Sequence, residues 1–315
     1  MEKIIVKNLT KRTKNFYLDV SFSVHAGEVF ALCGISESGK TLASKILQRL
    51  AYPGGGDIKI NYREAGMVIP DQMFYPNKTV YKTVKMYAKI NKRHVNNYEI
   101  MNTLNLVGLR SKKDMLIRDL APNRYARLKI AVAIVSQPKV LIMDSPFSYM
   151  SNAEAREIRV VLKTMADRFG TAVFLTAVNF FGVEEIFDTA AIIETGRILT
   201  IKSYNDISGM YDNLAKLCIT SPQPNYAAKL LEDSGLQTYL FGERDVVINI
   251  HPDKAQRVFD FLREKNIDVE CVTRVNKSVQ DIFHRLRTRD HDIAIGAELP
   301  PEEIDALDGD TGVTA

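Results

Sequence analysis

Hydrophobic positions in the first 200 residues follow two alternating patterns. Short apolar runs, several nearly continuous, predict strands that are buried on both faces of a parallel sheet. Between them, residues 78–110 and 123–136 carry apolar positions at helical spacing. These patterns predict an α/β domain with a helical insert at about residues 72–135. The predicted strands are Ile4–Val6, Tyr17–Val24, Val29–Cys33, Asp57–Asn61, Met67–Ile69, Val140–Met143, Ala172–Thr176 and Ala190–Ile193.

A turn-rich segment at Thr220–Pro224, which contains two prolines, predicts a linker after a first domain of residues 1–219. The pattern beyond it predicts a small α/β module over residues 225–289. Its predicted elements are a helix (226–234), two strands (237–241 and 245–250), a helix (252–265), a strand (267–273) and a helix (278–287). We expect residues 290–315 to form an acidic, disordered tail.

Composition indicates an ordinary globular chain, with 46% hydrophobic and 25% charged residues. No stretch approaches the roughly 18–20 apolar residues of a membrane span. Cys33, Cys218 and Cys271 lack paired spacing, which favours a reducing cytosolic setting. The tail holds eight acidic residues and no Lys or Arg, whereas the rest of the chain has 42 basic and 30 acidic residues. No basic block with interleaved aromatic residues occurs, so we expect no nucleic-acid partner.

Residues 34–41 read Gly-Ile-Ser-Glu-Ser-Gly-Lys-Thr, directly after the apolar run Val29–Cys33 and before the amphipathic run Leu42–Leu50. Strand, glycine loop and helix start in this order predict a phosphate-binding P-loop, whose backbone N–H groups face the phosphates. Lys40 is expected to reach the β- and γ-phosphates, and the Thr41 hydroxyl to bind Mg²⁺. The predicted nucleotide-binding residues of the loop are Gly34, Ser36, Ser38, Gly39, Lys40 and Thr41.

A second predicted magnesium ligand lies about 100 residues further on. The apolar strand Val140–Met143 ends in the carboxylate of Asp144. In P-loop nucleotidases, an Asp at the end of such a strand helps to hold the Mg²⁺ ion. The chain is therefore expected to bind ATP together with Mg²⁺.

The regions around these motifs resemble the nucleotide-binding subunits of ABC transporters, particularly the peptide-antibiotic exporter and immunity branch. The resemblance covers residues 1 to about 290. It implies an ABC-type P-loop NTPase fold with a helical insert, followed by the small α/β module. The segments that carry the resemblance, besides the P-loop, are Val20–Glu28, Tyr75–Val80, Ala190–Ile198 and Asn276–Phe283.

Several catalytic positions depart from the family pattern. Ser145 stands where the family has the glutamate that polarises the attacking water, and Ala177 stands at the position of the switch histidine. Ser151 replaces the aspartate of the dimer contact. The signature loop, normally Leu-Ser-Gly-Gly-Gln, aligns with Leu120 followed by Ala121, Pro122, Asn123 and Arg124. Its serine donor and both glycines are lost, and Pro122 has no N–H group.

Other positions that the resemblance assigns have also changed. The aromatic residue that stacks on adenine aligns with Thr13, and Phe16 or Tyr17 could replace it. Glu37 takes the place of the middle glycine of the P-loop, and its charge should weaken triphosphate binding unless the side chain turns outward. The metal-sensing glutamine aligns with Asp71, with Gln72 one residue later; either could serve.

These features support a leading hypothesis and two alternatives. The first is an ATP-binding subunit of an ABC transporter with low or no ATPase activity, peripheral on the cytoplasmic face of the membrane. It would couple to a separate membrane permease and form a homodimer or, preferably, a heterodimer with a competent paralogue. The second is an active exporter ATPase that uses relocated groups such as Asp71 or Glu184. The third is a regulatory or scaffold protein that uses an ABC-like fold.

Overall fold

The computed structural model describes residues 1–69, 71–90, 95–178, 183, 185–207, 215–236, 238–241, 244–250 and 255–275. The chain divides into two compact units, Met1–Tyr204 and Asn205–Ala315. Among the residues that the structure describes, no helix combines the length and the apolar character needed to cross a membrane.

A mixed nine-stranded sheet forms the centre of the first unit. Its spatial order is β4-β1-β2-β9-β8-β3-β7-β6-β5. The half that contains β3, β7, β6 and β5 is parallel, whereas β1 pairs with β2 and β4 in antiparallel fashion. The strands are β1 (Glu2–Arg12), β2 (Tyr17–His25), β3 (Val29–Cys33), β4 (Gly55–Ile60), β5 (Ala65–Val68), β6 (Val140–Met143), β7 (Ala172–Ala177), β8 (Thr189–Glu194) and β9 (Arg197–Ser203).

The helices of the first unit are α1 (Lys40–Leu47), α2 (Val80–Ile90), α3 (Asn97–Leu106), α4 (Pro122–Ile134) and α5 (Asn152–Phe169). Helices α2, α3 and α4 lie within the predicted insert. Helix α5 was missing from the predicted elements, although the sequence carries its signals. Ser151 and Glu154 form a capping box at its start, and Gly170 ends it in the left-handed conformation.

Three stacked phenylalanine rings hold the central strands together. The centroid of Phe22 lies 5.1 Å from that of Phe30 and 5.5 Å from that of Phe174. All five residues of β3 are buried, as are the four of β6. These continuous apolar strands fix the sheet edge from which the P-loop emerges.

The second unit contains a four-stranded antiparallel sheet in the order β11-β12-β10-β13. Its elements follow the βαββαβ sequence of ferredoxin-like folds. Side chains from the two helices pack on one face of the sheet, with Ile219, Leu231, Val246 and Leu262 in the core. The elements are β10 (Ala215–Thr220), α6 (Pro224–Asp233), β11 (Thr238–Phe241), β12 (Asp245–Ile250), α7 (Ala255–Glu264) and β13 (Cys271–Val275).

Strand β10 explains why this division differs from the predicted domain boundary at residue 219. It pairs with both β12 and β13, so the second unit begins before the turn-rich segment Thr220–Pro224. That segment connects β10 to α6 inside the unit. The predicted helix at 278–287 and the tail at 290–315 lie outside the described residues.

We expect Phe174→Ala to lower the free energy of unfolding of the chain by about 3–5 kcal/mol, because it removes a fully buried ring from the phenylalanine stack. The matched control is Phe169→Ala, which removes a ring that is 52% exposed at the end of α5 and should cost less than about 1 kcal/mol. Urea titration of both variants measures the difference. Equal losses would contradict the central role of the stack.

Candidate nucleotide site

The P-loop is wedged between the ends of β7 and β8. Gly34 follows β3, and its N–H group donates to the carbonyl oxygen of Ala177 at 3.2 Å. A Cβ atom on Gly34 would lie 2.3 Å from the carbonyl oxygen of Ile193, so only glycine fits there. Gly39, with a φ angle of 104°, is the N-cap residue of α1. Residues 34–39 therefore lead directly into the N-terminus of α1, an arrangement that suits anion binding.

Lys40 is buried, and its ammonium group lies inside this loop. It donates to the carbonyl oxygens of Gly34 and Ile35, both at 2.6 Å, and to the Ser38 hydroxyl at 3.2 Å. Burial lowers the pKa of Lys40, whereas the charge of the Asp144 carboxylate acts in the opposite direction. Burial raises the pKa of the Cys33 thiol, which is therefore neutral at physiological pH. A single positive charge thus lies in a loop of backbone groups.

The remaining residues of the loop differ in exposure. Ser38 is buried, whereas Ser36, Glu37 and Thr41 are exposed. Glu37 adopts a φ angle of 65°, the left-handed conformation that glycine would take without strain. Its carboxylate is in solvent, where water screens its repulsion of a phosphate group.

Asp144 lies at the end of β6 and is almost completely buried. Its Oδ1 atom accepts a hydrogen bond of 2.5 Å from the hydroxyl of Thr176. Among the described residues, no donor is hydrogen-bonded to Oδ2. Thr41 is the second residue of α1, and its hydroxyl is exposed. A carboxylate with one unengaged oxygen and an accessible hydroxyl suit a hard cation such as Mg²⁺.

Gln72 and Asp71, the two candidates for the metal-sensing position, have different surroundings. The Oε1 atom of Gln72 is buried without a hydrogen-bond partner among the described residues. An orphaned buried oxygen is costly unless a ligand engages it. Asp71 is exposed. Burial lowers the pKa of Lys129, and the charge of Asp71 partly offsets this effect. Gln72 is therefore better suited to a ligand role than Asp71.

The positions of the family's glutamate and histidine offer no base. Ser145 has a φ angle of 47°, and its N–H group donates to the Thr176 hydroxyl at 2.9 Å. Its carbonyl oxygen accepts from the hydroxyl of Ser148 at 2.9 Å. Ala177 ends β7 with a methyl side chain. Glu184, the other proposed substitute base, lies outside the described residues.

The three candidates for stacking on adenine differ in their contacts and exposure. Thr13 closes a tight turn, with its N–H group 2.8 Å from the carbonyl oxygen of Phe16. The Phe16 ring packs on the loop itself, since a Cβ atom on Gly39 would lie 2.8 Å from it. Tyr17 is 38% exposed, with the Arg12 guanidinium 5.5 Å from its ring centroid. Phe16 supports the loop, and Tyr17 presents the accessible ring.

The signature-loop position forms the start of α4. Ala121 is its N-cap without a side-chain hydrogen bond, and Pro122 is its first residue. Asn123 donates from Nδ2 to Glu154 Oε1 at 2.6 Å and accepts at Oδ1 from the N–H group of Arg124 at 2.9 Å. Asn123 therefore ties this position to α5 instead of leaving an exposed glycine surface.

Glu154 and Arg127 extend this connection. Glu154 accepts from both the backbone N–H and the hydroxyl of Ser151, and these hydrogen bonds, followed by that from Asn123, lower its pKa. The buried guanidinium of Arg127 lies 2.9 Å from Glu157 and 3.7 Å from Glu154, and it donates to the carbonyl oxygen of Val107 at 3.1 Å. The sequence analysis missed Arg127, which lies between Ala126 and Leu128 and is not distinguished by sequence from Arg124 and Lys129 of the same helix.

This fold and site define an ABC-type P-loop nucleotide-binding domain with an additional small C-terminal sheet, which confirms the predicted fold class. Residues 17–148 match the family model of ABC transporters. A solved "Dimeric Structure of MJ0796, a Bacterial ABC Transporter Cassette" shares the fold with a TM-score of 0.59 and 18% identity, over 64% of this chain and 98% of that one.

Full-length relatives support the same class. The chain is 28% identical to the bacitracin transport ATP-binding protein BcrA of Enterococcus faecalis, over 91% of this chain and 97% of the relative. It is 27% identical to the uncharacterized ABC transporter ATP-binding protein YhcH of Bacillus subtilis, over 88% and 93%. Both relatives are named as ATP-binding proteins of ABC transporters.

We expect Arg127→Met to lower the free energy of unfolding by about 1–3 kcal/mol, because it removes the hydrogen bond to the carbonyl oxygen of the buried Val107 and the ion pairs with Glu154 and Glu157. Arg156→Met on α5 is the control, since Arg156 is 74% exposed and lies 3.9 Å from Glu185. Its loss should stay below about 1 kcal/mol. Calorimetry of both variants tests this, and a small effect at Arg127 would contradict its role in joining α3, α4 and α5.

Proposed function

We propose that this chain is an ATP-binding subunit of an ABC transporter with low or no intrinsic ATPase activity. The observation that carries the proposal is the contrast within one site. A complete phosphate loop with Lys40 and a buried metal-site carboxylate, Asp144, lie beside positions 145 and 177, which offer no base. The chain would hold ATP and couple its binding to a separate membrane permease.

The loop residues would bind the nucleotide in defined roles. Backbone N–H groups of residues 34–41 and the start of α1 would cradle the phosphates. Lys40 would exchange its three oxygen acceptors in the loop for the β- and γ-phosphates. Thr41, Asp144 and Gln72 are the residues that would hold Mg²⁺, which neutralises phosphate charge when bound. Tyr17 would supply a stacking surface for adenine.

Weak hydrolysis follows from the same geometry. Ser145 has no carboxylate with which to orient water, and Ala177 cannot donate to a γ-phosphate. One positioned base alone contributes about 10²–10⁴-fold to a rate. Relocated catalysis through Asp71 is less well supported, because that side chain is exposed and interacts electrostatically with Lys129.

We propose the partner subunits from the class of protein that this chain resembles. Dimeric cassettes exist among the structural relatives, and pairing with a competent paralogue would divide the lost groups between two sites. Neither pairing gives a fully equipped site, since the signature position here reads Ala121–Arg124. Met73, Tyr75 and Tyr98 are 87%, 63% and 79% exposed on or beside the insert, which favours an apolar docking partner such as a permease. The chain would then lie at the cytoplasmic face of the membrane.

The transported substrate class is proposed from one relative. BcrA is named for bacitracin transport, and its alignment spans both units of this chain. We therefore favour a peptide-antibiotic exporter or immunity system over an importer. The regulatory or scaffold alternative would be favoured if the purified chain associated with soluble partners and no permease.

We expect the purified chain to bind ATP in the presence of Mg²⁺ and to form ADP no faster than Lys40→Ala. A time course of bound ATP and released ADP measures both quantities. Lys40→Ala should lose nucleotide affinity, because the loop then lacks its only buried ammonium among the described residues. Turnover that exceeds this variant would overturn the low-activity proposal, and absence of ATP binding would overturn the nucleotide-binding proposal itself.

A further inference from the structure

Thr176 is a buried hydroxyl residue in an otherwise apolar strand. It occupies the fifth position of β7, where Ala172, Val173, Phe174 and Leu175 are all completely buried, and its own exposed fraction is 1%. A hydroxyl in such surroundings is costly unless it is hydrogen-bonded. Thr176 uses its hydroxyl on the two residues that the proposed function depends on most, Asp144 and Ser145.

The direction of these hydrogen bonds follows from chemistry. The N–H group of Ser145 can only donate, and it lies 2.9 Å from Thr176 Oγ1. The carboxylate of Asp144 can only accept, so Thr176 gives its one proton to Oδ1 across 2.5 Å. The Ser145 hydroxyl, 3.4 Å from the same oxygen, is left as a further donor. The result is a relay from the Ser145 backbone through Thr176 to Asp144.

The relay has two geometric consequences. It engages Oδ1 of Asp144, which restricts rotation of the side chain. The other carboxylate oxygen, Oδ2, has no donor among the described residues. It also holds Ser145 in a left-handed conformation, with a φ angle of 47°. A short hydrogen bond to an ionised carboxylate is stronger than one between neutral groups.

We propose that Thr176 is a positioning residue for the metal of the nucleotide site: its hydroxyl orients Asp144 toward Mg²⁺. This inference rests on the proposed function, because it presumes that Asp144 binds the metal of a Mg²⁺·ATP complex. The site fits such an ion by the chemistry of Asp144, an almost completely buried carboxylate that has only Oδ1 engaged by a donor among the described residues. Partners that orient a metal ligand typically contribute about 10- to 100-fold to metal affinity.

Two variants of Thr176 separate the hydroxyl from the shape of the side chain. Thr176→Val keeps the branched shape and removes the hydroxyl, whereas Thr176→Ser keeps the hydroxyl. The readout is ATP affinity measured by calorimetry in Mg²⁺ and again in excess EDTA, with no hydrolysis involved. The ratio of the two affinities is the gain due to the metal, and Mn²⁺ titration followed by electron paramagnetic resonance gives a second measure of metal affinity.

We expect Thr176→Val to reduce the gain due to the metal by about 10-fold or more, with ATP affinity in EDTA within about twofold of the parent chain. Thr176→Ser should retain the gain. Asp144→Asn should lose it, and adding Thr176→Val to Asp144→Asn should cause no further loss, because both changes remove the same interaction. If Thr176→Val is poorly folded, Thr176→Ala replaces it in the same series.

Three outcomes would overturn the inference: an unchanged gain in Thr176→Val, an equal loss in Thr176→Ser, or equal losses of affinity with and without metal. The last would indicate a purely structural role. The parent chain distinguishes this failure from that of the proposed function. If the parent binds no ATP, the nucleotide-binding proposal fails, whereas a metal-dependent parent with an unaffected Thr176→Val variant contradicts only the role of Thr176.

Discussion

The parallel pairing of three buried strands is the constraint on which the candidate site depends. In β3 and β7, Cys33 lies opposite Ala177, and in β6 and β7, Met143 lies opposite Leu175. Because the carboxyl ends of parallel strands meet at one sheet edge, this register brings together Gly34, Asp144 and Thr176. A slip of one residue would turn every side chain of a strand to the other face. The stacked phenylalanines secure the register from within the core.

A second constraint joins the helical insert to the rest of the unit. Arg127 on α4 donates a hydrogen bond to the residue that follows α3 and forms ion pairs with two glutamates of α5. Glu154 also accepts hydrogen bonds from Asn123 and Ser151. Positions 121–124 and 151, which the family resemblance assigns to the signature loop and the dimer contact, are therefore linked to each other inside this chain. The polar groups of Asn123 and Ser151 both donate hydrogen bonds to Glu154.

Nucleotide binding and hydrolysis require different groups, and the proposed function separates them. Binding needs backbone N–H groups, an ammonium group and metal ligands, and we propose these roles for the P-loop, Lys40, Thr41, Asp144 and Gln72. Hydrolysis further needs groups that act only in the transition state. In the function that we propose, Ser145 and Ala177 take their places, and the retained groups would stabilise a bound nucleotide without accelerating its cleavage. This separation is the physical basis of the nucleotide-holding function that we propose.

Local sequence determined the parts of this protein that depend on neighbouring residues. The P-loop, the strand that ends in Asp144 and the insert helices were predicted from short patterns and motifs, and the ABC-type fold class was predicted from the resemblance to a known family. Helix α5 was missed although Ser151, Glu154 and Gly170 carried its signals. The order of strands within either sheet was not predicted, because hydrophobic periodicity gives the type of an element and not its neighbour.

Only the tertiary structure decided which distant residues meet. It placed β10 in the second sheet and showed the contacts of Thr176 and Arg127. It also showed that Gln72, and not Asp71, has a buried oxygen without a hydrogen-bond partner among the described residues. Each of these depends on long-range pairing: Thr176 and Asp144 are separated by 32 positions, and Arg127 and Glu157 come from different helices. A buried hydroxyl or guanidinium has a role only through its partners, and those partners are brought within hydrogen-bond distance by the packing of the whole unit.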